Sequence, residues 1–301
     1  MLLVGGRITG LVVAALLMAL PARAIVELDS SFGVTDGNYT ALGADYPAVG
    51  EFTGLADSGV LIEGDWVLTA AHVAGGLSAG SIYQIGGNNY TVASTIINPA
   101  YNGTDLDADI ALVRLTSNVT NVTPATLYTG SSELATVGTW VGFGQSGTGL
   151  TGSTTPRGTL RGETNDIDLF YDPVSGDFSL LSGTDIVSDF DDGTVGNNTL
   201  FPYSSPTPTA EEGGLAPGDS GGGVFATIAG STVLIGVNDF VEAGNGTNTQ
   251  YGALSGATRV SSYAGWINSE VTPVPEPGSM AAVAGLAALM AGLTRRRGRI
   301  G

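Results

Sequence analysis

The stretch Pro217-Gly218-Asp219-Ser220-Gly221-Gly222-Gly223 is the part of this chain best suited to chemistry. One hydroxyl, on Ser220, lies between a carboxylate and three glycines, and the apolar run Val224 to Ile228 follows. Glycines permit a tight turn that exposes the serine Oγ and directs backbone N–H groups at one point, which suits a nucleophile. A glycine-rich hairpin has the same pattern, so the interpretation depends on partners elsewhere in the chain.

Two further residues have the chemistry of such partners. His72 is the single histidine of the chain, and it ends the strand-like run Trp66 to Thr69 after two alanines, where a base is held firmly yet stays reachable. A lone histidine is more often structural than catalytic. Asp109 opens the apolar run Ile110 to Val113. A buried carboxylate is costly unless something pairs with it, and an imidazole N–H would do so.

Short β-rich runs separated by Gly, Asn, Asp and Ser must position these groups. The runs are 60–62, 66–69, 90–93, 110–113, 137–143, 224–228 and 233–237. Strands at this spacing predict antiparallel barrels or sandwiches. Helical periodicity over several turns is found only at 261–270, where Tyr263, Trp266 and Ile267 would share one face.

The order of the motifs excludes two hydrolase folds. An α/β-hydrolase runs Ser, acid, His, whereas the only histidine here precedes Ser220. A subtilisin-like enzyme needs its aspartate before the histidine, together with many helices. This chain instead runs His, Asp, Ser through predicted strands.

These motifs resemble those of the trypsin/chymotrypsin-like serine endopeptidases. Three match in order: Thr69-Ala70-Ala71-His72, Asp109-Ile110-Ala111-Leu112 and Gly218-Asp219-Ser220-Gly221-Gly222. The supporting matches are 58–62, 98–102, 141–144 and Trp266-Ile267, so the resemblance spans roughly 47–268. It implies an all-β fold of two six-stranded antiparallel Greek-key barrels, at about 25–135 and 136–260, with a closing helix at about 261–270. The site would lie in the cleft between the barrels.

The resemblance also implies roles for the residues. Ser220 would attack a peptide carbonyl of a protein or peptide substrate, His72 would move the proton, and Asp109 would orient the histidine. The N–H groups of Gly218 and Ser220 would form the oxyanion hole. No cofactor is implied.

Primary specificity is expected to differ from that of trypsin. By the resemblance, the pocket floor lies six residues before the nucleophile, at Gly214, where trypsin-type enzymes carry an aspartate. The pocket wall is expected at Asp239, Phe240 and Val241, with Val241 where a glycine would leave the pocket deep. A shallow pocket for small or medium apolar side chains is predicted.

Two departures from the family pattern leave alternatives open. Asp239 falls where the family usually has a serine that bonds the catalytic aspartate, unless the local alignment is off by one; repulsion between two carboxylates would raise one pKa and lower activity near neutral pH. An inactive homologue that serves as a cell-surface or matrix binding module is therefore an alternative to the enzyme. A structural matrix protein is a third, but it leaves the ordered motifs to chance.

The second departure concerns activation. Family members often pair a new N-terminal isoleucine amine with the aspartate before the nucleophile, here Asp219. Signal cleavage after Ala24 would expose Ile25-Val26, yet no Gly-Gly follows and the stretch to Pro47 is longer than the family's. Activation by signal peptidase alone and activation at another start both remain open.

Both chain ends carry export features. Residues 1–24 have an early arginine, an apolar run and Ala22-Arg23-Ala24, typical of a signal peptide. Residues 272–301 combine a Pro-rich linker, an apolar segment and an arginine cluster, and they closely resemble the PEP-CTERM sorting signal of Gram-negative bacteria. That resemblance implies exosortase processing and a transient inner-membrane anchor, followed by the cell surface or the extracellular space. An ordinary tail anchor is the alternative.

Composition excludes several functions. The chain has no cysteine, which removes thiol catalysis and disulfides, and it carries a net charge of −18. Residues 25–272 hold four arginines, no lysines and 27 acidic residues, a balance that would repel nucleic acid. An acidic stretch could bind calcium, but its spacing fits no EF-hand and a solvated loop is the simpler expectation. Its members are Asp185, Asp189, Asp191 and Asp192.

Overall fold

The computed structural model describes residues 25–103, 107–242 and 249–271. The predicted signal peptide and the predicted PEP-CTERM segment lie outside the described residues. In chain order the strands are β1 (Ile25–Glu27), β2 (Val49–Phe52), β3 (Asp57–Glu63), β4 (Trp66–Thr69), β5 (Ile82–Ile85), β6 (Asn88–Ile97), β7 (Ala111–Leu115), β8 (Val137–Gly142), β9 (Ser146–Thr148), β10 (Gly152–Thr155), β11 (Arg161–Asp166), β12 (Leu169–Asp172), β13 (Asp177–Ser179), β14 (Asp185–Asp189), β15 (Gly213–Gly214), β16 (Gly223–Ile228), β17 (Ser231–Glu242) and β18 (Leu254–Arg259). The α-helices are α1 (Asp36–Ala44), α2 (Ala71–Ala74) and α3 (Val260–Val271), and Ser30–Phe32 forms a single 3₁₀ turn.

The first half of the chain closes into a six-stranded barrel in the order β2-β3-β4-β7-β6-β5. Every neighbouring pair is antiparallel. Its core consists of buried aliphatic and aromatic side chains from the barrel strands, such as Val60, Leu68 and Leu112. Burial of these β-branched and leucine side chains holds the barrel without any disulfide.

The second half forms an eight-stranded antiparallel sheet in the order β11-β8-β16-β17-β18-β14-β12-β13. Four side chains of this sheet pack into the same core as the barrel residues, so the two halves share one interface. They are Val141, Phe225, Leu234 and Val237. The predicted all-β, chymotrypsin-type fold is confirmed, with one correction: of the two predicted six-stranded barrels, the first is a closed six-stranded barrel, whereas the second half is an eight-stranded sheet in the described residues. The closing helix is α3, which begins and ends within one residue of the predicted bounds.

The N-terminal segment belongs to the second half, which corrects the predicted boundary at residue 25 for the first barrel. Strand β1 pairs in parallel with β9 and antiparallel with β15, and these strands form a small sheet with β10. Helix α1 packs on β11: a Cβ on Gly43 would lie 2.7 Å from the Arg161 carbonyl carbon. Only a glycine permits this approach. The glycines of α1 also weaken the apolar periodicity by which a helix is predicted from sequence.

All seven predicted strand runs overlap strands, but one expectation about a loop was wrong. Strands β9 and β10 were not among the predicted runs. The acidic stretch was expected to be solvated, whereas Asp185 and Asp189 belong to β14 and are 0% exposed, and Asp191 is 4% exposed. No helix among the described residues is both long and apolar enough to cross a membrane.

Candidate active site

A tight turn shapes the loop that carries Ser220. The Asp219 N–H donates to the Ala216 carbonyl at 3.0 Å, and the two central residues are Pro217 and Gly218, the pair that a type II turn selects. Gly218 has a φ of 101°, which a residue with a Cβ rarely adopts. A Cβ at this position would also lie 2.8 Å from the Ala56 carbonyl oxygen. Both the turn and the close packing therefore require glycine.

The loop is fixed to the barrel next to the histidine. The Ser58 N–H donates to the Ser220 carbonyl at 2.9 Å, and the Ser58 hydroxyl donates to the Gly218 carbonyl at 3.0 Å. Thr69, three residues before His72, donates its hydroxyl to the Ser58 carbonyl at 2.8 Å. A Cβ on Gly221 would come closer than 3.0 Å to both Thr69 Oγ1 and the Ser58 carbonyl oxygen. The glycine after the nucleophile thus lets the loop lie directly on β3 and β4.

Two backbone donors beside the serine are unengaged. Within the described ranges, neither the Gly218 N–H nor the Ser220 N–H donates a hydrogen bond to any acceptor. Their neighbours are engaged: Asp219 donates to Ala216, and Gly221 donates to the Asn238 carbonyl at 2.8 Å. Two free N–H groups flanking a serine hydroxyl can receive the oxygen of a carbonyl that the serine attacks.

His72 and Asp109 form a two-point contact. Asp109 Oδ1 accepts the backbone N–H of His72 at 2.8 Å, and Oδ2 pairs with the His72 Nδ1 at 2.5 Å. Helix α2 begins one residue before His72, so its first turn supplies the backbone donor. The carboxylate side chain is 4% exposed and the imidazole 39% exposed. The aspartate therefore fixes Nδ1 as the protonated nitrogen and leaves Nε2 on the open side.

Charge around His72 favours the imidazolium. Burial alone would lower the His72 pKa, but the hydrogen bond and charge of Asp109, with a smaller contribution from Asp57, outweigh it and raise the pKa above 6.5. The Asp109 pKa is lowered although burial opposes this, because the His72 hydrogen bond and charge stabilise the carboxylate. No hydrogen bond between the Ser220 hydroxyl and His72 occurs in the described part of the chain; such contacts often tighten only when substrate binds.

Asp239 lies beside this pair. One ligand atom each from His72, Asp109 and Asp239 falls within 4.8 Å of the others, a set of donors that could hold a metal ion. Ligand atoms on a tetrahedral zinc ion are roughly 3.3 Å apart, however, whereas the His72 and Asp109 atoms are only 2.5 Å apart. That separation indicates a shared proton, and the arrangement fits a hydrogen-bonded cluster better than a metal centre.

A pocket of about 230 Å³ opens next to Ser220. It is lined by Leu215, Ala216, Pro217, Ser220, Asp239, Phe240 and Val241. Three of the four predicted pocket residues therefore line it, but Gly214 does not. A Cβ on Gly214 would meet Thr249 Cγ2 at 2.6 Å and Phe190 Cδ1 at 3.3 Å, so other side chains fill the space below it. The prediction that Gly214 is the pocket floor is corrected.

Leu215 lines the pocket, and its backbone is held at two points. Ser255 Oγ accepts the Leu215 N–H at 3.0 Å, and the Thr249 hydroxyl donates to the Leu215 carbonyl at 2.6 Å. Both bonds are buried, so the backbone at Leu215 is rigidly held. The roles of Leu215, Thr249 and Ser255 were not predicted from the sequence, because hydrogen bonds between a hydroxyl and a distant backbone group leave no local pattern. The only available signal was that Leu215 lies just before the serine motif.

Asp219 anchors the loop from inside. It is 0% exposed, and its carboxylate accepts N–H groups from Gly144 at 2.8 Å and Ala216 at 2.9 Å, together with the backbone of Ile25. Burial raises the Asp219 pKa to about 7, although those bonds and the charge of Arg161 oppose the rise. Ile25 is itself 0% exposed, with a φ of 63°, a genuine outlier for a β-branched residue.

The all-β architecture is that of the chymotrypsin-like fold, and Asp239 lines the pocket beside Ser220 while lying close to His72 and Asp109. The trypsin family model matches residues 41–165, a range that includes His72 and Asp109 and ends before Ser220. Among solved structures, mouse neuropsin, described as a serine protease expressed in the limbic system of mouse brain, is similar with a TM-score of 0.58 and 19% identity. The match covers 78% of this chain and 98% of neuropsin. No curated protein sequence matches the chain significantly.

Proposed function

We propose that the protein is a serine endopeptidase in which Ser220, His72 and Asp109 form the catalytic triad. The observation that carries the proposal is the Asp109 contact with Nδ1 and the backbone of His72, in the same cleft as a serine flanked by two unengaged N–H groups. The partial match to the trypsin family supports it.

The residues would act in a fixed order. Ser220 Oγ attacks the scissile carbonyl while His72 Nε2 takes its proton, and Asp109 stabilises the imidazolium that forms. The Gly218 and Ser220 N–H groups hold the oxyanion, where losing one donor costs on the order of 3 kcal/mol. The imidazolium returns the proton to the leaving amine, which departs and leaves an acyl-enzyme. Water, activated by His72, then hydrolyses the ester and restores Ser220.

We further propose a preference for small or medium apolar side chains in the primary pocket. Leu215, Val241 and Phe240 supply its apolar walls, and its volume of about 230 Å³ suits side chains of that size. Asp239 also lines the pocket, and its carboxyl group lies close to His72 and Asp109.

Activation is proposed to follow the cut that removes the signal peptide. Ile25 already lies in the pocket of Asp219, and its strained φ depends on the bond to the preceding residue. Cleavage of that bond would abolish the strain and create an ammonium group beside a buried carboxylate. N-terminal sequencing of active protein is expected to begin at Ile25; another start in fully active protein contradicts this step.

Export followed by PEP-CTERM sorting remains the proposed route for the terminal segments. Signal peptidase and an exosortase are the proposed processing partners, and the proposed location is the inner membrane transiently, then the cell surface or medium. Mass spectrometry of the mature protein from a Gram-negative host, with both ends assigned, tests both cuts.

Incubation with a peptide library tests the activity. Wild-type protein should cleave internal bonds after apolar residues, the Ser220→Ala variant should lose about a million-fold in turnover, and Ser231→Ala, on an exposed strand end, should equal wild type. Cleavage chiefly after Arg or Lys would contradict the specificity. Unchanged turnover in Ser220→Ala would contradict the proposed mechanism, whereas no cleavage by correctly folded wild-type protein would favour the inactive binding homologue.

A further inference from the structure

The carboxyl groups of Asp109 and Asp239 are close neighbours in a buried cluster. One oxygen of each lies within 4.8 Å of the other and of a His72 ring nitrogen, and Asp109 is 3% exposed and Asp239 7% exposed. Both Asp109 oxygens already accept hydrogen bonds from His72. Two buried carboxylates this close repel strongly, and such pairs are stable when they share one proton.

The remaining contacts of Asp239 leave room for a proton. Its Oδ2 is 3.5 Å from the Thr258 hydroxyl, which also donates to the Asp109 carbonyl at 3.2 Å. Its Oδ1 is buried and has no hydrogen-bond partner among the described residues. An ionised carboxylate would leave two charged acceptors short of donors, whereas a neutral acid supplies a donor of its own.

The surroundings of Asp239 also disfavour a charge on it. The titratable groups that face it are Asp109 in front of β7, His72 on α2, Asp185 on β14 and Tyr101. Asp185 is 0% exposed and, within the described ranges, both of its carboxyl oxygens lack a partner. Burial first, and then the neighbouring carboxylates, raise the pKa of Asp239 far above its usual value.

We propose that Asp239 is a neutral carboxylic acid that donates its proton to Asp109 and thereby positions the catalytic carboxylate. The dyad then keeps a single negative charge, which is the charge that an imidazolium at His72 needs. Ionisation of Asp239 at high pH removes the donor and adds a second negative charge beside His72. Asp239 is thus a positioning residue, and the proposal rests on the proposed function only in its consequence for the reaction rate.

The single histidine provides a direct test, because one His72 signal is resolved without assignment once any purification tag is removed. The His72 imidazole is titrated by NMR in wild type and in Asp239→Asn, whose neutral amide replaces a neutral acid and can still donate. The two midpoints should agree within about 0.3 pH units, and only wild type should show a second, alkaline change in chemical shift. An ionised Asp239 would instead make the Asn midpoint lower by roughly two pH units, which overturns the proposal.

If Asp239 had no influence on the His72 pKa, equal NMR midpoints would not report the charge on Asp239. An infrared difference spectrum detects that charge directly. Wild type minus Asp239→Asn at neutral pH should show the carbonyl stretch of one neutral carboxylic acid, moved by ¹³C labelling of aspartate. Its absence overturns the proposal. Glu242→Gln, at the exposed end of the same strand, is the matched control and should change neither spectrum.

Kinetics separate positioning from a merely structural role. Asp239→Asn, which can still donate a hydrogen bond, should lose less in kcat than Asp239→Leu, which has no donor. Asp239→Leu should lose about tenfold in kcat, the size of one neutral hydrogen bond. Equal kcat in both variants overturns the positioning role. Neither spectroscopic measurement needs turnover, so an inactive protein with a neutral Asp239 would refute the proposed function and leave the carboxyl pair intact.

Discussion

Replacing Gly221 by alanine should strongly reduce catalytic activity, because the added methyl group would clash with the barrel next to Ser220. Gly221 has a φ of 79°, and a Cβ there would come closer than 3.0 Å to Thr69 Oγ1 and the Ser58 carbonyl oxygen. The left-handed backbone costs alanine roughly 1 to 2 kcal/mol, and overpacking adds about 1 to 3 kcal/mol. Relief of the clash must move the Ser220 loop away from β3 and β4, where a shift near 1 Å costs about 100-fold in rate.

Gly230 provides the matched control. Its φ is 80°, and a Cβ there meets nothing within 4 Å. Gly230→Ala should lose only the backbone cost and keep full activity. Urea denaturation and kcat/KM on a peptide substrate are measured for both variants. Equal stability of the two, with normal activity in Gly221→Ala, would refute the packing of the nucleophile loop against the barrel.

Three further predictions concern charge. Arg161 is 1% exposed and pairs with the buried Glu27 at 3.1 Å, so Arg161→Met should lose about 3 to 5 kcal/mol in unfolding free energy, and the double variant with Glu27→Met should recover most of it; an unstable double variant would contradict the pairing. Burial raises the pKa of the fully buried Glu163, so above the usual pKa of glutamate, about 4.3, the folded protein holds a proton that the unfolded chain has released. Stability should therefore fall as pH rises above that value. Glu163→Gln should flatten that fall in a series of thermal melts while Glu242→Gln does not. The pKa of His72 is raised, so kcat/KM should rise with pH through a midpoint above the usual 6.5 for histidine; a lower midpoint would contradict the Asp109 contact.

The features that could be predicted from the sequence are those that depend on residues close together in the chain. Short β-rich apolar runs marked the strand that precedes His72 and the strand that follows Asp109, and the glycine-rich stretch marked the turn at Ser220. The fold class was predicted from the strand spacing and the resemblance of the motifs, and the His, Asp, Ser order excluded two competing hydrolase folds. The type and approximate bounds of α3 also followed from periodicity.

Long-range contacts were not predictable in this way. Helix α1 depends on Gly43 lying against Arg161, and β1 depends on pairing with strands more than a hundred residues later. The filled space under Gly214 depends on Thr249 and Phe190, which are distant in sequence. Burial of the acidic stretch was unexpected because strand pairing with β18 overrode the usual exposure of aspartate.

The most direct test of the central claim, that Ser220 is an activated nucleophile, is labelling with a fluorophosphonate probe followed by peptide mapping. The account predicts that the probe attaches to Ser220 in native protein, and that labelling is lost in Ser220→Ala and after denaturation and falls by several orders of magnitude in His72→Ala. Absence of labelling in correctly folded protein that begins at Ile25, or labelling that persists in Ser220→Ala, would contradict it.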